Sequence, residues 1–339
     1  MKIVFTWLFS TLLTLPVLAQ GQNIELAKIK KDKSPVSIPV IVSDREGHYL
    51  PGLKKEDFTV YQDGVKQNIT FFATFDEPLS IALLLDTSGS TEDVLKRIKS
   101  AAKDFVDLLN PQDKCLVATF DNQVKILNSF TSDRKTLKKS LDKIKSSALG
   151  GTLMYNAVGQ ITQKSFADLP GRKVVVILTD GVDFGSVVTK DELLSQFEES
   201  DILIYTVFYR TNAMVVDPTS GKKGKRSKKY RKKKNVIIPT GTIYIPTEAE
   251  LAAREKSDEI EATDALKKMS DTTAGRFYLS DAPGLKKVFK QMAGELREQY
   301  RLGFRVKDAA DDAAKTHDII IKVARPDAVV RFREKIRSK

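Results

Sequence analysis

The stretch LSIALLLDTSGS, Leu79 to Ser90, decides how the chain is read. It runs apolar with a single interruption, Ser80, shows no period-two alternation, and stops at the carboxylate of Asp86. A continuous apolar run of this length marks a strand buried on both faces of a parallel sheet. Just beyond it, Leu95, Ile98, Ala102, Phe105, Val106 and Leu109 recur at helical spacing until Asn110-Pro111. A buried strand feeding an amphipathic helix is the opening of a β-α-β unit.

Reading toward the C-terminus, the alternation continues. CLVATF and VKILNSF predict a hairpin around Asp121-Asn122, residues 133–146 a short helix, Gly150-Gly151-Thr152 a tight turn, and 153–166 another helix. The strand VVVILTD, a helix near 190–199 and the strand ILIYTVFY follow. After an interruption at 211–257, which includes a possible short hairpin and an acidic helical piece, come a helix at 262–270, the strand RFYLS and a helix at 285–297. This grammar predicts a doubly wound, mostly parallel open α/β sheet over residues 79–299.

The flanks are β. VSIPVIVS (36–43) alternates, FTVYQ meets VKQNITFF across Asp63-Gly64, and YRLGFRV, HDIIIKV and AVVRFREK close the chain. Residues 20–78 form an N-terminal β unit and 300–339 a set of C-terminal strands. Neither holds enough strands to bury a core alone, so they are expected to pair into one small β-sandwich.

Residues 1–19, MKIVFTWLFSTLLTLPVLA, have a lysine, an apolar run, Pro16, and small residues Val17 and Ala19 before a cut at Gln20. That is the pattern of a secretory signal peptide; a retained anchor is the alternative, for which the apolar stretch is short. No later run reaches membrane length, so no transmembrane span is expected after cleavage. The expectation is an exported protein, periplasmic or extracellular.

Composition narrows the chemistry. One cysteine among 339 residues excludes a disulfide framework, and Cys115, in a buried strand, reads as an inert core residue. Two histidines, His48 and His317, leave little for a zinc site or a histidine-dependent triad, and both are expected at the surface. The net charge of +12 is concentrated in ten cations without an acid: Lys222, Lys223, Lys225, Arg226, Lys228, Lys229, Arg231, Lys232, Lys233 and Lys234. The rest of the chain is near neutral, so the basicity belongs to one segment. It reads as a solvated loop or as a salt-sensitive patch for polysaccharide, lipid headgroups or nucleic acid. Tyr230 is its only aromatic, which disfavours base stacking.

Asp86, Ser88 and Ser90 lie where a central strand passes into a helix, the place where open α/β sheets bind ligands. Thr152, after Gly150-Gly151, and Asp180, ending VVVILTD, occupy equivalent positions. Two carboxylates and three hydroxyls form an all-oxygen set suited to Mg²⁺, Mn²⁺ or Ca²⁺. Glycines beside each of them are expected to let the loops approach one ion. A phosphoaspartyl enzyme would want a second Asp where Ser88 stands, and the Asp-Thr-Gly of aspartic proteases is broken by the same serine. A helix cap explains one such loop but not three.

At these residues the chain resembles the von Willebrand factor type A domain, whose metal-ion-dependent adhesion site uses Asp-x-Ser-x-Ser, a Thr and an Asp on three loops. Asp86, Ser88, Ser90, Thr152 and Asp180 match all five. The resemblance implies that the hydroxyls contact the metal directly or through water, that the aspartates act mostly through water, and that one position stays open for a partner's carboxylate. VSDREGHYLPGLKKEDFTVYQDGVKQNITFF and EQYRLGF further resemble a bacterial exported subfamily. The implied function is cation-dependent adhesion or scaffolding toward a protein that supplies an Asp or Glu. The alternative is an anionic-polymer-binding protein acting through 221–234, with the metal site structural. No positioned base or nucleophile is evident, so an enzyme is not expected.

Overall fold

A computed structural model describes residues 36–46, 48–74, 77–147, 151–166, 169, 171–198, 200–210, 236–237, 243–244, 248–306 and 316–337. The expected signal peptide and the basic segment 222–234 lie outside the described residues. In chain order the strands β1 (Val36–Ser43), β2 (Phe58–Gln62), β3 (Val65–Gln67) and β4 (Ile69–Ala73) precede β5 (Leu79–Asp86). Then come α1 (Leu95–Leu108), β6 (Lys114–Phe120), β7 (Val124–Ile126), α2 (Arg134–Lys143), α3 (Met154–Gln160), β8 (Arg172–Thr179), α4 (Lys190–Glu198) and β9 (Leu203–Arg210). The short pair β10 (Val236–Ile237) and β11 (Ile243–Tyr244) leads to α5 (Glu248–Thr272), β12 (Phe277–Asp281) and α6 (Leu285–Arg297). The chain ends with β13 (Gln299–Phe304), β14 (Thr316–Val323), β15 (Val329–Phe332) and β16 (Lys335–Arg337).

The central sheet runs β12-β9-β8-β5-β6-β7, parallel throughout except for the edge strand β7. Every residue of β5 is buried, as its nearly continuous apolar run requires. Its alternate side chains serve two cores. Ile81, Leu83 and Leu85 pack with α1, α2 and α6, while Ala82 and Leu84 pack with α3, α4 and α5. Helices on both faces make the sheet doubly wound.

Two antiparallel sheets flank it, ordered β15-β1-β13-β4 and β16-β14-β2-β3. β1 lies between β13 and β15, and β2 pairs with β14, so each sheet takes strands from both terminal segments. Ile38, Val40, Val42, Phe58, Val60, Leu302, Phe304, Ile319 and Ile321 fill the core between them. The alternation in β14 is strict, with inward and outward residues in turn.

Three expectations need correction. His317 is not at the surface: it is 2% exposed on the inward face of β14, its Nδ1 2.7 Å from Asp63 Oδ2. The helix expected at 262–270 begins at Glu248, so it and the acidic piece of the interruption are one helix. Its described buried apolar residues, Ala262, Ala265, Leu266 and Met269, lie only in its second half, where the helical spacing is visible. The helix expected over 153–166 keeps α geometry to Gln160 and closes with a π turn at Ile161–Ser165.

Candidate metal centre

From β5 the chain crosses to β6 on one side, and β8 later joins on the other, so the topological switch falls between β5 and β8. Asp86 ends β5 and Asp180 follows β8, which places both carboxylates at the carboxyl edge beside this switch. They are 0% and 1% exposed.

Hydrogen bonds link them through the two serines. Asp86 Oδ1 accepts from the Ser88 amide at 2.8 Å, and its Oδ2 from the Thr179 hydroxyl at 2.6 Å. The Ser88 and Ser90 hydroxyls lie 3.0 Å apart, and Ser90 Oγ donates to Asp180 Oδ1 at 2.9 Å. The loop is shaped by its own caps: Thr91 bonds the Ser88 carbonyl through both its amide and its hydroxyl, at 3.0 and 2.8 Å. Asp180 Oδ2 is buried and meets no donor among the described residues.

Four of the five expected site residues are thus joined. Thr152 stands apart in its bonding. Its backbone pairs with Phe184, N to O at 3.1 Å and O to N at 2.9 Å, on the loop that begins at Asp180. The next amide, Leu153, donates to the Asp121 carbonyl at 2.8 Å. Among the described residues its hydroxyl makes no hydrogen bond to the other four. Of the glycines expected to permit close approach, Gly150 lies outside the described residues, and among the described ones only Gly151 has a backbone that demands glycine. Its φ is +117°, and an added Cβ would lie 3.1 Å from Asn122 Cβ. Gly89 and Gly181 have ordinary backbone and room for a side chain.

Sequence reasoning missed three neighbours. Asp121 follows β6 as Asp180 follows β8, is 3% exposed, and takes a weak bond from Thr87 Oγ1 at 3.4 Å. The same signal that marked Asp86, an apolar strand ending in a carboxylate, was present in KCLVATF-Asp but reads equally as a hairpin turn. Thr179 orients Asp86, and the Tyr209 hydroxyl is buried without a partner among the described residues.

The electrostatics follow from this crowding. Burial pushes the Asp86 carboxyl above its ordinary range, against the hydrogen bonds from Thr179 and Ser88, and Asp121 adds repulsion. Burial, then the Asp86 charge, raises Asp180. Burial, then Asp180 and Asp86, also raises Tyr209. Among the described residues no Lys or Arg pairs with Asp86 or Asp180, and Lys125 reaches Asp121 only at 3.9 Å. Buried carboxylates, hydroxyls and an unpartnered carboxylate oxygen fit a hard divalent cation. A second group, Asp44, Glu46 and His48, is an exposed turn whose Asp44 Oδ1 accepts its own loop amides at 2.9 and 2.8 Å.

Comparison with known proteins finds likenesses that span this region. The sequence model of the von Willebrand factor type A domain matches residues 81–182. An uncharacterized protein of Synechocystis sp. is 32% identical over 108 residues, 31% of this chain and 25% of its own length. The chain therefore spans about a quarter of that curated relative. Among solved structures, proximal thread matrix protein 1 from the mussel byssus is 16% identical with a TM-score of 0.48, over 70% of this chain and 51% of that one. The same mussel protein with a zinc-occupied MIDAS motif is 17% identical, TM-score 0.47, over 70% and 50% of the two chains. An aerotolerance-related membrane protein from Bacteroides fragilis is 17% identical, TM-score 0.44, over 64% and 98%. The matched span runs from β5 to just past β8 and holds Asp86, Ser88, Ser90, Thr152 and Asp180, so this part of the chain is similar to the von Willebrand factor type A domain, whose fold the mostly parallel α/β sheet matches.

Proposed function

We propose that the chain is an exported, divalent-cation-dependent binding protein of the adhesion or scaffold kind, which captures a protein partner through an Asp or Glu of that partner. The observation that carries the reading is Asp180: a buried carboxylate, one oxygen held by Ser90, the other without a donor among the described residues, beside buried Asp86. In water such a pair repels; in a low-dielectric edge it calls for positive charge.

Ser88, Ser90 and Thr152 would hold Mg²⁺, Mn²⁺ or Ca²⁺ through their hydroxyls, with Asp86 and Asp180 supplying the compensating charge. When bound, the ion supplies a positive centre with an oxygen-seeking position for the partner's carboxylate. The chain's own residues prepare that position. Thr179 fixes the Asp86 carboxylate, and Thr91 fixes the serine loop. The Ser88 and Ser90 hydroxyls, now bonded to each other, need only rotor changes to offer lone pairs.

Binding rather than turnover is the reading because the two histidines and the cysteine, which could activate or replace a hydroxyl nucleophile, lie elsewhere. His48 lies in the exposed loop after β1, His317 lies on β14, and Cys115 sits at the amino end of β6, opposite the site. Export rests on residues 1–19; among the described residues no helix is long and apolar enough to cross a membrane.

The test is capture of envelope proteins with Mg²⁺ or with chelator, using the wild type, Thr152→Ala, and a variant whose residues 221–234 are a Gly/Ser linker. Capture should be chelator-sensitive, survive the linker and vanish in Thr152→Ala. Capture that persists in Thr152→Ala, vanishes with the linker and falls with salt would move the function to the basic segment.

A further inference from the structure

The loop after Asp180 reads Gly181-Val182-Asp183-Phe184-Gly185-Ser186-Val187-Val188 and carries four large apolar side chains. Val182 and Val188 turn inward and pack on the core beneath α3 and α4. Phe184 and Val187 do the opposite: they are 74% and 86% exposed, and Phe184 is the largest side chain among the highly exposed apolar residues described. Single exposed apolar residues are ordinary, but two on one loop bordering a ligand site are informative.

Their exposure is fixed by the structure around them. Six hydrogen bonds tie the loop to residues 152–156. Two pair Phe184 with Thr152; Asp183 Oδ1 accepts the Tyr155 amide at 2.8 Å; Ser186 Oγ accepts the Asn156 amide at 3.1 Å; and Asn156 Oδ1 accepts the amides of Val187 and Val188, both at 3.0 Å. Gly185, at φ +101°, turns the chain where an added Cβ would meet Leu153 at 3.2 Å. The Phe184 backbone is therefore locked to the backbone of Thr152, one of the proposed cation-holding residues. Asp93, three residues past Ser90, is exposed.

We infer that Phe184 and Val187 form the apolar half of the partner-binding surface, and that the occupant is a protein segment with one Asp or Glu flanked by a large apolar side chain. This inference rests on the proposed cation-dependent reading of the same site. The charge pattern selects the occupant. The ion offers one place for one carboxylate, and the exposed Asp93 repels further acids, so an acidic run is disfavoured. The apolar neighbour is received by a preordered apolar ridge that loses little entropy on binding.

The test uses random peptides displayed on phage, panned on the immobilised full chain in Mg²⁺ and eluted with EDTA. Enriched peptides are expected to carry a single Asp or Glu with a Phe, Leu, Ile, Met or Trp adjacent or next but one. The Phe184→Ser/Val187→Ser double variant, whose changes are exposed and leave the loop's hydrogen bonds intact, should bind those peptides about tenfold more weakly. Its Mg²⁺ titration should match the wild type. Acid-bearing peptides without an apolar neighbour, or equal binding by the double variant, would overturn the inference and leave the cation reading standing. Enrichment that EDTA does not release, that Thr152→Ala retains, or that fails to appear would overturn both.

Discussion

Replacing Glu295 by Gln should cost the fold about 3 kcal/mol, and the structure shows why. Glu295 sits on α6 with no exposed surface, and five donors converge on it. Oε1 accepts from Tyr205 at 2.9 Å and from Arg331; Oε2 accepts from Arg276 at 3.0 Å, Tyr278 at 3.2 Å and Tyr49. Tyr49 and Arg331 come from the flanking β segments, the rest from the α/β part, so one carboxylate ties the two together. A Gln amide replaces one accepting oxygen by a donor, so whichever way it turns one arginine loses its acceptor and at least one tyrosine bond must break or reverse. Bonds to a charged group are worth roughly 1.5–3 kcal/mol each, giving about 3–6. Arg276 and Arg331 are partly solvated, with side-chain exposures of 38% and 27%, which moves the expectation to the low end.

The pH dependence has a definite sign. Burial alone would raise the Glu295 carboxyl, but Arg331, Tyr49 and Arg276 outweigh it and hold it below the ordinary glutamate value. A depressed folded pKa gives stability that is full above the unfolded value and is lost as pH falls through the folded one. Urea denaturation of wild type and Glu295→Gln at neutral pH, and again on acidification below about pH 4, reads both effects. The gap should be widest near neutrality and narrow in acid. A neutral-pH difference under about 1 kcal/mol, or a gap that widens in acid, would refute the reasoning.

Two further outcomes follow from packing. Burial pushes the Cys115 thiol up to about 12, so a thiol reagent should leave it unmodified in the native protein and react only on unfolding; rapid native-state labelling would contradict this. An added Cβ at Gly275 would lie 1.9 Å from the Ile204 carbonyl oxygen, so Gly275→Ala should lose more than about 3 kcal/mol in urea denaturation, and a loss under about 1 would contradict the close approach.

What could be read from the sequence followed from how local each signal was. β5 was legible because all eight of its residues are buried and a strand between two cores leaves an apolar run without alternation, here interrupted only at Ser80 before Asp86. Asp86 and Asp180 were legible because each closes such a run. Asp121 obeys the same rule, but the turn after it suits Asp for an unrelated reason, which masked it. His317 is in phase with Ile319 and Ile321, so the period-two pattern of β14 already pointed it inward; residue type misled where periodicity did not. Glu295 falls on the helical stripe of Val288 and Met292, yet its partners Tyr49 and Arg331 are remote in sequence, and no local pattern announces them. The first half of α5 has no described buried apolar residue, so nothing periodic marked its start.

The central claim is that Asp86, Ser88, Ser90, Thr152 and Asp180 hold one divalent cation. Titration calorimetry of Mg²⁺, and separately Mn²⁺, into the full chain tests it most directly, with Asp86→Ala and Thr152→Ala alongside. The account predicts one site per chain in the wild type, lost in Asp86→Ala and weakened in Thr152→Ala, whose hydroxyl is one of the proposed direct ligands. Equal binding by wild type and Asp86→Ala, or no binding by the wild type, would contradict it.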